Sequence, residues 1–464
     1  MAKYQKYVEY KDSGVEWLGE IPSHWTNTKV KYEAYVKARV GWHGLKSDDF
    51  TDEGPYLVTG SDFKGTNIDW SQCYHCDEPR YEQDPYIQLR DDDLLITKDG
   101  TIGKVALVSN LKDGEKATLN SGIFVVRPLR NNFSTKFYFW LLQSKVFKEF
   151  VNFNKTGSTI VHLYQDTFVN FEYASPNLES QIDISDFLDH ETAQIDTLIA
   201  KQVKLIELLK EKRQAVISHA VTKGLNPDVA MKDSGVEWLG KVPEHWKIPR
   251  LKQLIRYGSS ISYGIVQPGE ALDEGIPFIQ TTNISKGSFE LEDFQKTSLS
   301  IESNYPRSRL EGGEVILGIR ASIGAAFVVP MSFKGVNLSR GIARIIPNNL
   351  LQSDFLVWFF KSNAVDQYWG LSKQGSTFSE VSIETVKELN VVIPPIKEQI
   401  DIANYVENES SKFEKLMLSA EKQKNLLIER RTALISAAVT GKIDVRNWQN
   451  PNKNNNQDNM ELSA

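Results

Sequence analysis

The chain is written twice. Asp12–Trp25 reads DSGVEWLGEIPSHW and Asp233–Trp246 reads DSGVEWLGKVPEHW, identical at eleven of fourteen positions and 221 residues apart (233 against 12). A second matched pair closes each copy: EKRQAVISHAVT, Glu211–Thr222, and ERRTALISAAVT, Glu429–Thr440, at an offset of 218 (429 against 211). A repeat at nearly constant offset constrains the fold more tightly than local propensity does, because both copies must follow one plan. Between these anchors the likeness fades while the order persists. LLITKDGTIGKVALV, Leu94–Val108, faces VILGIRASIGAAFVV, Val315–Val329, and a GST triplet stands at Gly157–Thr159 and again at Gly375–Thr377. Matching ends around unlike middles imply a shared frame that carries two different jobs.

The end of each copy reads as one long helix, from about Glu179 to Thr222 and from about Lys397 to Thr440, with neither Gly nor Pro inside. Gly224 and Gly441 follow the two ends, and Pro394-Pro395 precedes the second start, the expected boundary signals. Apolar residues fall on one face at Leu188, Ile195, Ile199, Leu209, Val216 and Ala220, and in the second copy at Val406, Phe413, Met417, Leu427, Leu434 and Ala438. Some 44 residues at about 1.5 Å each make a helix roughly 65 Å long, more than its own neighbouring domain covers. The other copy supplies a partner of equal length, so the two helices are expected to pair antiparallel about a pseudo-twofold axis. A charged outer face (Lys201, Lys204, Glu207, Lys210, Lys212, Arg213) is left for solvent or for another subunit.

The unlike middles combine short β-prone runs with one aromatic helix each. DLLITKDG and GIFVVRP in the first, and EVILGIRASIG and GIARIIP in the second, are strands between turn residues. FYFWLLQS, Phe137–Ser144, and FLVWFFKS, Phe355–Ser362, are helices whose aromatics fill a core. The fold class is therefore α+β: two α/β domains with strand-rich cores, joined by a two-helix antiparallel spacer in an internal pseudo-twofold repeat. The organisation reads as residues 1–20 with the first motif, 21–176 the first domain, 177–224 the central helix, 225–241 a linker with the second motif, 242–394 the second domain, and 395–444 the closing helix. Residues 445–464, Asn-rich and polar, are expected to be a disordered tail.

Composition then excludes classes. No run of eighteen apolar residues exists and the N-terminus MAKYQKYVEY has no apolar segment, so neither a membrane span nor a secretory signal is supported, and a cytoplasmic chain is expected. Two cysteines, Cys73 and Cys76, are too few for a disulfide framework, and no second Cys/His pair completes a zinc site. GxxxxGK[ST], HExxH and GxSxG are missing, as are a Gly-rich cofactor loop and an Asn/Asp-Pro-Pro-aromatic tetrapeptide, so the chain carries no recognisable catalytic machinery. The net charge of −6 argues against an unaided nucleic-acid binder, since affinity for duplex DNA comes largely from Lys and Arg on phosphates. Either the cations are concentrated locally or a partner contributes them.

A doubled DSGVEWLGxxPxHW, a variable domain, and a long helix opening near SQIDI or EQIDI and closing in ISxAVT resembles the specificity (HsdS) subunits of type I restriction-modification systems, over nearly the whole chain except the tail. The resemblance implies two target recognition domains, each reading one half of a split, asymmetric double-stranded DNA site, on a helical spacer. It also implies two methyltransferase subunits that carry S-adenosylmethionine and two restriction subunits driven by ATP with Mg, this chain binding no cofactor or metal and catalysing nothing itself. Candidate DNA contacts are polar residues on glycine-bearing turns: Lys98, Thr101 and Lys104, and Arg320 and Ser322 at the corresponding turn. Ser158 and Thr159, matched by Ser376 and Thr377, are candidates for phosphate contact. For the first set the competing reading is a tight turn with incidental polarity, and for the second a turn or cap leading into the closing strand. Trp17 and Trp238 sit among matched apolar residues and are expected to anchor each repeat to the spacer or to a partner. The competing functions are a stand-alone double-headed DNA-binding adaptor or regulator and, less well supported, a fused enzyme.

Overall fold

A computed structural model of the chain describes residues 4–39, 47–131, 133–154, 162–286, 290–372 and 380–449. It divides into two compact units, Met1–Gln202 with Lys422–Ala464, and Val203–Glu421. Each long helix, Leu178–Lys223 and Ile396–Val439, runs through both units, so each unit owns half of each helix.

The two units carry the same sheets even where their sequences do not align. In the first unit an antiparallel sheet has the strand order Val105–Leu107, Leu94–Thr97, Ile123–Pro128, Ala34–Ala38, with Phe124 opposite both Ile96 and Ala38. In the second the same order is Ala326–Val328, Val315–Gly318, Ile342–Ile345, Ser262–Tyr263. Beside it lies a three-stranded sheet, in which Thr51–Val58 pairs parallel with Ala117–Leu119 and antiparallel with Tyr74–His75. Ile276–Ile279 does the same with Asn337–Leu338 and Gln295–Thr297. The strands Leu94–Thr97 and Val315–Gly318 are buried at every position, which is why they read as unbroken apolar runs. The aromatic helices, Thr135–Leu141 and Ser353–Phe360, fill the space between sheet and long helices as expected: Phe137, Phe355, Phe359 and Phe360 have no exposed surface. Leu188, Val406, Phe413, Leu434 and Ile195 are buried along the long helices, and Ile199, Leu209, Val216, Met417 and Leu427 are half-buried. Within the first unit Arg431 Nε donates to Asp196 Oδ1 at 2.8 Å and Gln202 Nε2 to Gln423 Oε1 at 3.3 Å, so numbers rise on one helix as they fall on the other and the segments are antiparallel. In the second unit Arg213 Nη2 meets Glu414 Oε1 at 3.0 Å.

Polar contacts repeat at fixed offset and tie the long helices to the domains. Gln181 Oε1 accepts from Ser134 N–H at 2.8 Å while its Nε2 donates to Pro176 O; Gln399 does the same with Gln352 N–H at 2.8 Å and Pro394 O. Ser436 Oγ accepts from Lys145 N–H, and Ser218 Oγ from Asn363 N–H, both at 2.9 Å. Each of these side chains satisfies a backbone group at the start of a helix or in the turn before one, where no intrahelical partner exists.

The doubled motif is a small hairpin. Asp12 Oδ1 accepts from Gly14 N–H and Ser13 Oγ from Val15 N–H, with Asp233 and Ser234 repeating both bonds, and Tyr10–Asp12 pairs with Glu20–Pro22 as Met231–Asp233 pairs with Lys241–Pro243. It ends in Trp25 or Trp246, each with no exposed surface, seated where a long helix stops. Gly441, at φ +69°, lies so close to the motif that a Cβ there would stand 2.4 Å from Pro22 Cδ and 3.3 Å from Trp25 Cη2. Gly224, at φ +78°, would place one 3.3 Å from Trp246 Cζ2. The first motif therefore closes on the end of the second helix, and the second motif on the end of the first.

Two expectations change. Trp17 and Trp238 face the domains rather than the helices: Trp17 Nε1 donates to Glu172 O at 3.1 Å and its ring packs on Phe150, and Trp238 packs on Tyr368. The seat on the long helices belongs instead to Trp25 and Trp246, because the hairpin turns the two tryptophans of each motif in different directions. The chain also stays ordered past residue 445, since Val445 is buried and Trp448 packs edge-on to Phe187; apolar side chains there have a core to join. Residues 450–464 of the expected tail lie outside the described residues. Burial pushes Cys73 up to about 12 and Cys76 up to about 11, which keeps both thiols protonated and disfavours them as metal ligands.

Gly441→Ala combines a left-handed backbone with a clash on Pro22, and is expected to destabilise the first unit by about 2 kcal/mol or more. Chemical denaturation reads this directly; an unchanged midpoint would show that the helix-end seat does not hold the unit together.

Candidate nucleic-acid interface

The corresponding turns after Leu94–Thr97 and Val315–Gly318 share a backbone and differ in chemistry. Gly103 N–H donates to Thr97 O at 2.9 Å and Thr97 N–H to Lys104 O at 2.9 Å; Gly324 N–H donates to Gly318 O at 3.0 Å and Gly318 N–H to Ala325 O at 2.8 Å. Gly103 and Gly324 both need positive φ, +81° and +85°. In the first unit the turn is braced by a side chain: Thr97 Oγ1 accepts from Lys104 N–H at 3.0 Å and donates to Thr101 O at 2.5 Å. In the second, position 318 is glycine because a Cβ would stand 2.2 Å from Ser322 O. The residue at the tip is Gly100 in one, at φ +67°, and Ala321 in the other, at φ +59°.

Each turn is latched to a return segment. Leu163 N–H donates to Lys98 O at 2.9 Å in the first unit, and Val381 N–H to Ile319 O at 2.8 Å in the second. Beside these matched backbone bonds sits a charge cluster of reversed layout. In the first, Asp99 on the turn receives His162 Nδ1 at 2.6 Å and Lys98 Nζ at 2.8 Å. In the second, Arg320 on the turn donates to Glu380 on the return segment at 2.5 Å, and Arg340 lies 3.9 Å from the same carboxylate. Burial pushes Asp99 up, but the hydrogen bonds from His162 and Lys98 outweigh it and leave the carboxyl below its ordinary range. In both units one carboxylate is shared by two basic side chains.

Thus Lys98 and Arg320 are brought against a partner, Thr101 and Lys104 are exposed on the turn, and Ser322 is half-buried with its hydroxyl against that of Ser285. Ser158, Thr159, Ser376 and Thr377 lie outside the described residues. Sequence reasoning passed over Asp99, His162, Glu380 and Arg340. A signal was available in the repeat offset: 162 and 380 are 218 apart, like the closing helices, and each is a polar side chain able to pair with a turn residue, Asp99 or Arg320, themselves 221 apart.

Among the described residues no helix is long and apolar enough to cross a membrane, and no His/Cys/Asp/Glu group is placed to hold a metal ion. The family model described as Type I restriction modification DNA specificity domain matches residues 45–208 and 243–430. The chain is 27% identical over 321 residues to the type I restriction enzyme EcoBI specificity subunit of Escherichia coli, covering 68% of this chain and 66% of that protein. It is 21% identical over 369 residues to the MjaVIII specificity subunit of Methanocaldococcus jannaschii, covering 78% and 81%. Among solved structures, the HsdS subunit from Thermoanaerobacter tengcongensis matches with a TM-score of 0.52 at 17% identity, over 91% of this chain and 98% of that one. A chain from work on complex assembly and conformational transition of the type I R-M system matches with a TM-score of 0.68 at 17% identity, over 90% and 98%. These two establish the likeness of fold.

Ala321 holds a left-handed conformation that costs an alanine roughly 1 kcal/mol, so Ala321→Gly is expected to leave the second unit as stable or slightly more stable, whereas Gly100→Ala destabilises the first by about 1 kcal/mol. Thermal melts of the two variants check this; equal losses in both would mean that the two turns do not share a backbone.

Proposed function

This chain belongs to the type I restriction modification DNA specificity family, and from that premise we propose that it is the sequence-reading subunit of a type I restriction-modification complex, one head per half of a split, asymmetric DNA target. The observation that carries the reading is a single sheet topology built twice around unlike turns. Asp99 meets His162 and Lys98 in one head; Arg320 meets Glu380 in the other. Different donors and acceptors on one frame select different base edges, which a scaffold has no use for. The proposed DNA contacts on these turns are Lys98, Thr101 and Lys104 in the first head and Arg320 and Ser322 in the second, with Ser158, Thr159, Ser376 and Thr377 proposed for phosphates.

In this reading the chain works in the cytoplasm, binds no cofactor and leaves chemistry to its partners. Two methyltransferase subunits bring S-adenosylmethionine, and two restriction subunits bring ATP and Mg. Support comes from the sequence, which has no phosphate loop or methyltransferase tetrapeptide, and from the helices, which keep apolar side chains in water. In the second unit Leu208 is 48% exposed and Leu418 is 71% exposed, on the two helices near the level of the Arg213–Glu414 bond. Exposed leucines on both helices fit an apolar partner surface.

Replacing residues 242–394 by a second copy of 21–176 is expected to yield a complex that selects duplexes with two like half-sites from a random pool, when assembled with the methyltransferase subunit. Selection of the original asymmetric sequence by the chimera would overturn the assignment of one head per half-site. Leu208→Asp with Leu418→Asp is expected to lower recovery of the methyltransferase subunit in co-purification at least about tenfold, by placing charge in an apolar interface; full recovery would move the docking surface elsewhere.

A further inference from the structure

The first head has a cation with no counterpart in the second. Arg39, at the end of strand Ala34–Ala38, is 2% exposed. Its Nε donates to Leu119 O at 2.8 Å and its Nη2 to Thr118 Oγ1 at 3.1 Å, but Nη1 has no partner. Among the described residues no carboxylate lies within ion-pair distance of it. Buried guanidinium groups are ordinarily satisfied, because an unmet charged donor costs far more than an unmet exposed one. Arg39 lines a cleft of about 400 Å³ together with Lys37, Lys98, His162, Tyr164 and Gln165. Four basic side chains therefore surround one cleft, and two of them, Lys98 and His162, are held at its rim by Asp99.

In the second head the same place is closed. Ala38 is opposite Phe124, and Tyr263 is opposite Ala343, so the residue after each, Arg39 or Gly264, occupies the same position on the sheet. A Cβ on Gly264 would stand 1.8 Å from Leu338 O, and Ile265 N–H already donates to that oxygen at 2.6 Å. The carbonyl that receives Arg39 in one head is Leu119 O; in the other the matching carbonyl is taken by backbone.

We propose that this cleft is a phosphodiester-binding site, peculiar to the first head, in which a DNA backbone phosphate bonds Arg39, Lys98 and His162 and displaces Asp99, which holds the place of the phosphate while DNA is absent. The inference rests on the reading of the chain as a DNA-binding subunit. It adds that Asp99 is an internal competitor. A carboxylate already seated on the cations weakens every encounter with DNA equally, so that only a duplex gaining base contacts as well binds firmly.

The experiment is DNA binding by the full chain assembled with its methyltransferase subunit, followed by fluorescence anisotropy from about 50 to about 300 mM salt, on target-bearing and unrelated duplexes. Asp99→Asn is expected to raise affinity for both duplexes by about fivefold, the effect of one unit charge a few ångströms from a phosphate. Lys98→Ala and Arg39→Gln are expected to weaken both alike, each lowering the slope of log affinity against log salt by about one. A gain on Asp99→Asn does not arise from misfolding, so it stands even if the buried Arg39 variant fails to fold. Unchanged affinity for Asp99→Asn, or weakening by Lys98→Ala confined to the target duplex, would overturn the phosphate site while leaving the DNA-reading role intact. Absence of DNA binding by the unmodified complex would overturn both.

Discussion

The closure of each motif on the end of a long helix is the contact on which the rest depends. Trp25 and Trp246 are wholly buried, and each meets a glycine in the left-handed conformation one residue or two past its helix. Burying an indole removes some of the largest apolar surface a side chain offers, worth about 2–3 kcal/mol by area. Its geometric consequence is larger. In the first unit it joins the beginning of the chain to its end: Tyr10 Oη donates to Gly441 O at 3.0 Å, and Asp444 N–H to Gln5 O at 2.8 Å. In the second it joins neighbours in sequence, Gly224 and Trp246. The same seat is thus made once by a local contact and once by a contact between residues 431 apart in sequence.

This explains which parts were legible in the sequence. The long helices, the aromatic helices and the central strands follow from periodicity, from proline and glycine at the boundaries, and from apolar runs, all local signals. The seat of Trp25 was not legible, because the motif carries two tryptophans and nothing in their spacing says which one turns toward a helix more than 400 residues later. Asp99 with His162 was missed for a related reason: the partners are far apart in sequence and are juxtaposed only once the return segment pairs with the turn.

The shared topology also resolves the awkward charge. A net −6 does not require acidic reading surfaces. Lys98 and Lys104 stand on the same turn as Asp99, and Arg320 and Arg340 share Glu380, so each cluster carries more Lys and Arg than carboxylate although the chain as a whole carries the reverse. Phosphate affinity is a local property of such clusters, whereas net charge governs solubility and long-range steering. Local cations of modest number suit a subunit that gains the remainder of its DNA affinity from partners.

The most direct test of two unlike heads on one frame is a genome-wide map of methylated adenines, read by single-molecule sequencing, in cells expressing this chain with the methyltransferase subunit and no other specificity subunit. One bipartite motif is expected, with two halves that differ in sequence and are separated by a fixed run of unread bases. A continuous motif, two identical halves, or methylation that does not depend on this chain would contradict it.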